Sequence, residues 1–140
     1  MKKLFVAFSF LMLLSMFGMS QKTYAQSSPV IYFCERYDAD LGEIGISDRF
    51  TTGYLTVMAK SNYAMGLDNV QIQFDKWNPS EKKFEYYKAF DYVVQPDMKY
   101  IYFSKNEESD MKFDTPGIYR VFLLDGSRST VGSALIEIIP

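Results

Sequence analysis

The 140-residue chain contains no histidine and a single cysteine, Cys34. Without histidine it has no Ser-His-Asp or Cys-His catalytic arrangement and no histidine-based metal site. A single cysteine cannot form a disulfide within the chain, and in an apolar strand we expect its thiol to be buried. Glycine and proline are scarce as well, with eight and five residues, which excludes collagen-like and low-complexity architectures. We therefore expect no catalytic residues, no metal and no cofactor.

The remaining composition is that of a globular domain rather than a disordered chain. Hydrophobic residues make up 48% of the sequence, aromatic residues 17% and charged residues 23%. This apolar fraction is sufficient for one hydrophobic core, and the chain is too short for two ordinary domains. The net charge of −2 reflects no basic excess. We therefore expect neither nucleic acid nor an anionic lipid surface as a partner.

The N-terminal segment has the three-part layout of a secretory signal peptide. Lys2 and Lys3 form a positive start, Leu4–Met19 is a nearly continuous apolar run, and the small residues Thr23 and Ala25 mark a cleavage site. This layout resembles bacterial Sec signals. The alternative, an uncleaved membrane anchor, is less favoured because the run falls short of the apolar length that a membrane span needs.

Cleavage after Ala25 would divide the chain into a signal peptide, residues 1–25, and a single domain, residues 26–140. The removed part includes three lysines, so the exported domain would be more acidic than the full chain. We expect a bacterial protein that is periplasmic or secreted and that is not inserted in a membrane after cleavage.

Short runs of alternating apolar and polar residues predict β-strands. In Val70–Asp75 the apolar side chains of Val70, Ile72 and Phe74 share one face, and the polar side chains share the other. Further strands are predicted at Val30–Tyr37, Tyr54–Lys60, Tyr100–Ser104, Gly117–Leu124 and Ser133–Ile139. Turn residues separate these runs. Strands at this density predict an all-β sandwich or barrel.

The segment Ser80–Phe90 is compatible with two structures. Ser80 could cap a helix that carries Phe84 and Tyr87 loosely on one face. The segment could equally be the hairpin partner of the preceding strand. Its tyrosines and the short loop before it favour the strand.

The segment Pro116–Gly126 resembles the penultimate strand of bacterial immunoglobulin-like modules. It has a Pro-Gly-x-Tyr start, an alternating strand and an Asp-Gly turn, and a terminal strand follows it. The resemblance implies an immunoglobulin-like antiparallel β-sandwich of about seven strands, in which Tyr119 forms a tyrosine corner with the preceding turn. The antibody-type pattern of two cysteines and a tryptophan is missing. The whole chain is also similar to small exported bacterial proteins that open with a sequence such as Tyr32-Phe33-Cys34-Glu35, a resemblance that implies no activity.

The alternation of the last two predicted strands leaves apolar side chains on the face opposite the core. Tyr119 and the alternate residues after it are expected inside, and Glu137 is expected in water on the other face. The outward apolar side chains are then Phe122, Leu124, Leu135 and Ile139. A contiguous apolar patch indicates a partner surface, unless another segment covers it or a bulge shifts the register.

Three aromatic residues in the middle of the chain are a second candidate site: Trp77, Tyr86 and Tyr87. Aromatic side chains can stack on sugars or anchor a protein partner. The alternative is that they belong to the core, as most aromatic residues of such a chain must.

The acidic loop Asp38–Glu43 begins like a calcium-binding loop, with carboxylates at Asp38, Asp40 and Glu43. The third ligand position holds a glycine, however, and the place of the bidentate glutamate of an EF-hand holds an arginine. We therefore favour a solvated loop between two strands.

Together these patterns favour a non-enzymatic binding or assembly module of the bacterial cell envelope, whose partner is itself or another envelope protein. The alternative is a small-ligand or glycan-binding domain that uses surface aromatic residues.

Overall fold

The computed structural model of the protein describes residues 28–105 and 110–140. The predicted signal peptide, residues 1–25, lies outside the described residues. Within the two described ranges, no helix has the length and apolar character required to cross a membrane.

The described residues fold into β-strands joined by turns and short loops. The strands are β1 (Val30–Cys34), β2 (Arg36–Asp38), β3 (Gly42–Ile44), β4 (Arg49–Thr51), β5 (Gly53–Tyr54), β6 (Thr56–Lys60), β7 (Asn69–Asn78), β8 (Lys83–Val93), β9 (Tyr100–Phe103), β10 (Lys112–Phe113), β11 (Gly117–Leu124) and β12 (Thr130–Ile139). The ambiguous segment Ser80–Phe90 forms a turn and most of β8, so the strand alternative is confirmed.

Two sheets carry the fold. One has three strands in the order β1-β6-β9, and the other has five in the order β4-β12-β11-β7-β8. In the immunoglobulin fold, strands A, B and E lie in one sheet, and strands G, F, C and C′ lie in the other. In chain order β1, β6, β7, β8, β9, β11 and β12 occupy the places A, B, C, C′, E, F and G. The predicted immunoglobulin-like sandwich is therefore confirmed. One pair departs from the antiparallel pattern, because β4 runs parallel to β12.

The core lies between the two sheets and follows the period-two alternation of the strands. Val70, Ile72 and Phe74 of β7 are all buried, as the sequence predicts. Both sheets supply side chains to the same cluster, and those of β6 and β11 include Val57, Ala59, Tyr119, Val121 and Leu123. Cys34 is buried and unpaired, as expected, but it lies outside this central cluster.

A tyrosine corner fixes the entry into β11. The hydroxyl of Tyr119 donates a hydrogen bond of 2.7 Å to the carbonyl oxygen of Thr115. The ring is fully buried, with the rings of Tyr87 and Phe113 edge-on to it. Burial raises the pKa of Tyr119 to about 12, so the hydroxyl remains a donor at any ordinary pH. The corner that the sequence resemblance implied is present.

An inward-pointing lysine protects the edge strand β8. The ammonium of Lys88 donates to the carbonyl oxygens of Asp110 and Lys112, and thereby holds the short strand β10 against the sheet. It lies 5.2–5.8 Å from the centroids of four aromatic rings, those of Phe74, Tyr87, Phe90 and Phe113. Burial lowers its pKa. A charge facing inward on an edge strand also discourages pairing with a foreign strand.

We predict that Tyr119→Phe lowers the free energy of unfolding by about 1 kcal/mol, because it leaves the Thr115 carbonyl without its buried donor. Urea unfolding monitored by fluorescence would measure the change. Tyr87→Phe is the matched control, since it removes a hydroxyl from the neighbouring ring. Equal losses in the two variants would show that the corner hydrogen bond does not stabilise the fold.

Candidate binding surface

A row of four side chains crosses the outer face of the five-stranded sheet. The strand register places Asp75 of β7 opposite Tyr86 of β8 on one side and opposite Arg120 of β11 on the other. Arg120 is in turn opposite Leu135 of β12. Tyr86 is 67% exposed and Leu135 is 56% exposed. Two opposite charges therefore lie side by side at the centre of the row, with large exposed side chains at both ends.

The guanidinium of Arg120 is held between two aromatic rings. Its central carbon lies 4.3 Å from the centroid of the Phe84 ring and 5.1 Å from that of the Phe122 ring. Its Nε is buried and has no hydrogen-bond partner. Within the part of the chain that the structure describes, Arg120 makes no ion pair. A guanidinium that packs against aromatic rings can still donate hydrogen bonds to an acceptor from its exposed N–H groups.

Further apolar side chains extend this surface beside the row. Trp77 is 36% exposed and packs edge-on against Phe84 at 5.1 Å between ring centroids. Ile118 is also exposed and lies opposite Glu137, which is paired with Arg49 at 2.5 Å. We call the whole surface the outer patch, and its members are Asp75, Trp77, Phe84, Tyr86, Ile118, Arg120, Phe122 and Leu135.

The structure exposes only part of the predicted outward set of Phe122, Leu124, Leu135 and Ile139. Leu135 is exposed and Phe122 is half-buried beneath Arg120. Leu124 keeps its outward position in the β11–β7 register and lies outside the central core cluster, but it is buried and does not contribute to the exposed surface. Ile139 is half-buried, because β4 pairs alongside it. The exposed surface is therefore shifted from β12 toward β7 and β8.

The predicted platform of Trp77, Tyr86 and Tyr87 is divided between the two faces of the sheet. Trp77 and Tyr86 belong to the outer patch. Tyr87 instead packs on Tyr119, 5.4 Å between centroids, on the core side. The cause is a bulge, because the β7–β8 register shifts between Phe74 and Asp75 and leaves Tyr87 without a direct partner. Tyr87 is therefore not a surface residue of the platform.

The chain itself covers much of the outer face of the three-stranded sheet, although Tyr102 on this face remains 50% exposed. The hairpin of β2 and β3 lies over it, and Tyr37 stacks on Tyr102 with 4.4 Å between centroids and 18° between planes. Three buried side chains on this sheet lie outside the central core, namely Cys34, Thr56 and Met58. Burial raises the pKa of the Cys34 thiol. The hairpin thus adds a third layer to this side of the sandwich.

Glu43 fastens this hairpin to the sheet. Its carboxylate accepts hydrogen bonds from the hydroxyls of Tyr100 and Tyr32, which lower the pKa of Glu43 to about 2. Burial and the bond to Glu43 raise the pKa of Tyr32 to about 12, and burial likewise raises that of Tyr100. Both hydroxyls therefore remain protonated donors, and the carboxylate remains ionised, across ordinary pH.

The acidic loop closes on itself instead of gathering ligands. The carboxylate of Asp38 accepts hydrogen bonds from the backbone amides of Asp40 and Leu41, which lower its pKa. Glu43 is bound by the two tyrosines. Within the described residues, no group of three or more His, Cys, Asp or Glu side chains is arranged to hold a metal ion.

Two open clefts lie away from the outer patch. One, of about 550 Å³, lies where β7 begins and β8 ends. In it Gln71 donates to Asp91 at 2.9 Å, and Arg128 lies 4.0 Å from the same carboxylate. The other, of about 380 Å³, lies beside the hairpin, and its carboxylate is that of Glu43. The acidic groups of both clefts are thus already engaged within the protein.

Comparison with known proteins gives a likeness in structure but not in sequence. No family model matches the chain, and no curated protein matches it. Among solved structures it is similar to an immunoglobulin-like protein from Pseudomonas aeruginosa, with 12% sequence identity and a TM-score of 0.45. The match covers 82% of this chain and 99% of that one. The assignment of the fold rests on the strand order and the tyrosine corner described above.

We predict that Glu43→Gln destabilises the protein at pH 6 and that the difference from the wild type shrinks as the pH falls. The pKa of Glu43 is 4.5 in an ordinary setting and about 2 in the folded chain. The ionised carboxylate therefore favours folding above about pH 4.5, and this contribution is lost as the pH falls through about 2. Urea unfolding at pH 6, 4 and 2.5 would measure it.

Glu81→Gln, an exposed residue of the turn before β8, is the control for this series. A difference between the wild type and Glu43→Gln that stays constant from pH 6 to pH 2.5 would show that the ionised carboxylate does not fasten the hairpin.

Proposed function

We propose that this chain is an exported, non-enzymatic binding or assembly module of the bacterial cell envelope, and that it binds its partner with the outer patch. The single observation that carries the proposal is the Arg120 guanidinium, which is held between two rings in an exposed apolar surface without an ion pair among the described residues. Export rests on the signal-like N-terminal segment.

The energetics of the outer patch favour a partner. An arginine donor that is buried without an acceptor destabilises the isolated chain, and so does exposure of several large apolar side chains. A second surface that covers the patch would bury the exposed apolar side chains and could supply a carboxylate to the guanidinium. Aromatic residues and arginine are also the residue types that are enriched at the centres of protein interfaces.

Three buried or partly buried polar groups elsewhere in the described chain have structural roles. Tyr119 forms the corner, Lys88 holds β10, and Glu43 is bound by two tyrosines. Each of these three groups is thus bound to another part of the fold. The outer patch is therefore the place where a polar group is left without such a contact, and the proposal of a binding module rests on it.

We predict that Leu135→Glu leaves the fold intact and weakens partner binding at least tenfold, because it places a charge at the exposed end of the row. The matched control is Leu41→Glu, at the tip of the β2–β3 hairpin, where the leucine is 75% exposed but lies outside the outer patch. Thermal unfolding would verify folding, and quantitative co-purification from the native envelope together with sedimentation would measure binding. Equal behaviour of Leu135→Glu and Leu41→Glu would exclude the outer patch as the binding surface.

A glycan is a second candidate ligand, favoured by the presence of Trp77 and Tyr86 on the same face. An exposed indole beside a tyrosine can stack on a sugar ring. If a glycan is bound here, Trp77→Ala should abolish binding on a glycan array. Leu135→Glu should retain binding, because Leu135 lies on β12, which β11 separates from the β7 strand that carries the indole. Retention of glycan binding by Trp77→Ala would exclude this platform.

A further inference from the structure

We propose that the outer patch binds a second copy of this chain, with Arg120 of each copy paired to Asp75 of the other across a two-fold axis. This inference rests on the proposed function, since it names the partner of the same surface.

The two charges are neighbours on one face but do not bind each other. Asp75 and Arg120 are direct cross-strand partners, and residues in such pairs have Cα atoms about 4.5–5.5 Å apart. No ion pair joins them within 4 Å in the described chain. Asp75 accepts a hydrogen bond from the amide of Gln73 at 2.8 Å, and Arg120 is drawn over the Phe84 ring. Each charge therefore retains capacity for a second partner.

This arrangement is complementary to itself. In a two-fold symmetric dimer both copies use the same patch. Every contact between one residue of the first copy and another residue of the second is therefore repeated with the two copies exchanged. An axis that runs parallel to the strands, between the two charges, reverses the row of one copy over the row of the other. Asp75 then faces Arg120 twice, and the exposed Tyr86 side of one copy covers the exposed Leu135 side of the other.

The alternative axis orientation is disfavoured by the same charges. An axis that runs across the strands would bring Asp75 over Asp75 and Arg120 over Arg120, and like charges facing each other cost several kcal/mol. The charge pair thus selects one of the two simple face-to-face arrangements. Sheets packed face to face are about 10 Å apart, a spacing that an arginine and an aspartate from opposite sides can bridge.

The aromatic side chains around the two charges strengthen their attraction across the interface. Covering the patch removes Phe84, Phe122 and Trp77 from water, and the charges then attract each other in a medium of low dielectric constant. The same desolvation penalises a copy in which either charge is missing, because the remaining charge is left buried and unpaired. A second copy supplies both signs in the required positions without any other component.

The test uses two charge-reversed variants expressed from the full 140-residue sequence, Arg120→Glu and Asp75→Lys. Sedimentation equilibrium should show the wild type in a monomer–dimer equilibrium, and each variant alone should dimerise at least tenfold more weakly, since like charges then face each other twice. An equimolar mixture of the two variants should regain dimerisation, because both pairs in the mixed dimer are again of opposite sign.

The mixture also separates pairing from folding damage, because a misfolded variant is not restored by another chain. If a reversed variant fails to fold, Arg120→Gln and Asp75→Asn replace the pair, and each should weaken dimerisation without repulsion. A wild type that remains monomeric at about 1 mM, where even a weak pair would form, overturns the second-copy proposal. So does a mixture that dimerises no better than its components.

Failure of this inference is distinguishable from failure of the proposed function. In one outcome the wild type is monomeric, an envelope protein co-purifies with Leu41→Glu, and it does not co-purify with Leu135→Glu. The outer patch then binds a foreign partner, and only the second-copy inference is wrong. If Leu135→Glu and Leu41→Glu behave alike in both measurements, the proposed function is wrong as well.

Discussion

Strand β11 is the element on which the rest of the structure depends, because it is hydrogen-bonded on both sides and has one face in the core. β7 and β12 flank it, and its inward residues, Tyr119, Val121 and Leu123, are fully buried. Successive side chains of a strand point to opposite faces, so this burial fixes the orientation of Arg120 and Phe122 as well. A one-residue slip would bury an arginine and expose a tyrosine that is bonded to Thr115. The tyrosine corner and the outer patch are thus two consequences of one register.

The fold could be predicted from the sequence where alternation and turn chemistry agree. The strand at Gly117–Leu124 has the predicted bounds, and the buried face of the strand that contains Val70 is the predicted one. The strand at Ser80–Phe90 was harder to predict, because its bulge interrupts the period of two. The parallel pairing of β4 with β12 could not be predicted, because a strand of three residues shows too little alternation to be recognised. Its partner is also distant in sequence, since the paired residues Arg49 and Glu137 are 88 positions apart.

The candidate site was predicted only where it depends on the alternation of a single strand. Leu135 is exposed as expected, but the inward turn of Tyr87 follows from a register shift against the neighbouring strand, and Leu124 is buried although it keeps its outward position. Asp75 and Phe84 also belong to the surface, and neither was predicted to do so from the sequence. The polar position of Asp75 in an alternating strand indicates its face, but its place opposite Arg120 requires the pairing of β7 with β11. Cross-strand neighbours are a property of the sheet and not of any one segment.

The two outer faces of the sandwich provide the strongest argument that the outer patch has a partner. Both faces carry tyrosines and apolar side chains, so both would expose apolar surface if left open. On the three-stranded sheet the chain covers Cys34, Thr56 and Met58 with its own hairpin, and it fastens that hairpin with the carboxylate of Glu43 between two hydroxyls. On the five-stranded sheet the described residues provide no such layer over Arg120, Phe84 and Leu135. On one face, a carboxylate that accepts hydrogen bonds from two hydroxyls holds the covering layer in place. On the other face, the reciprocal pairs of Asp75 and Arg120 would likewise bind a carboxylate to hydrogen-bond donors above apolar side chains.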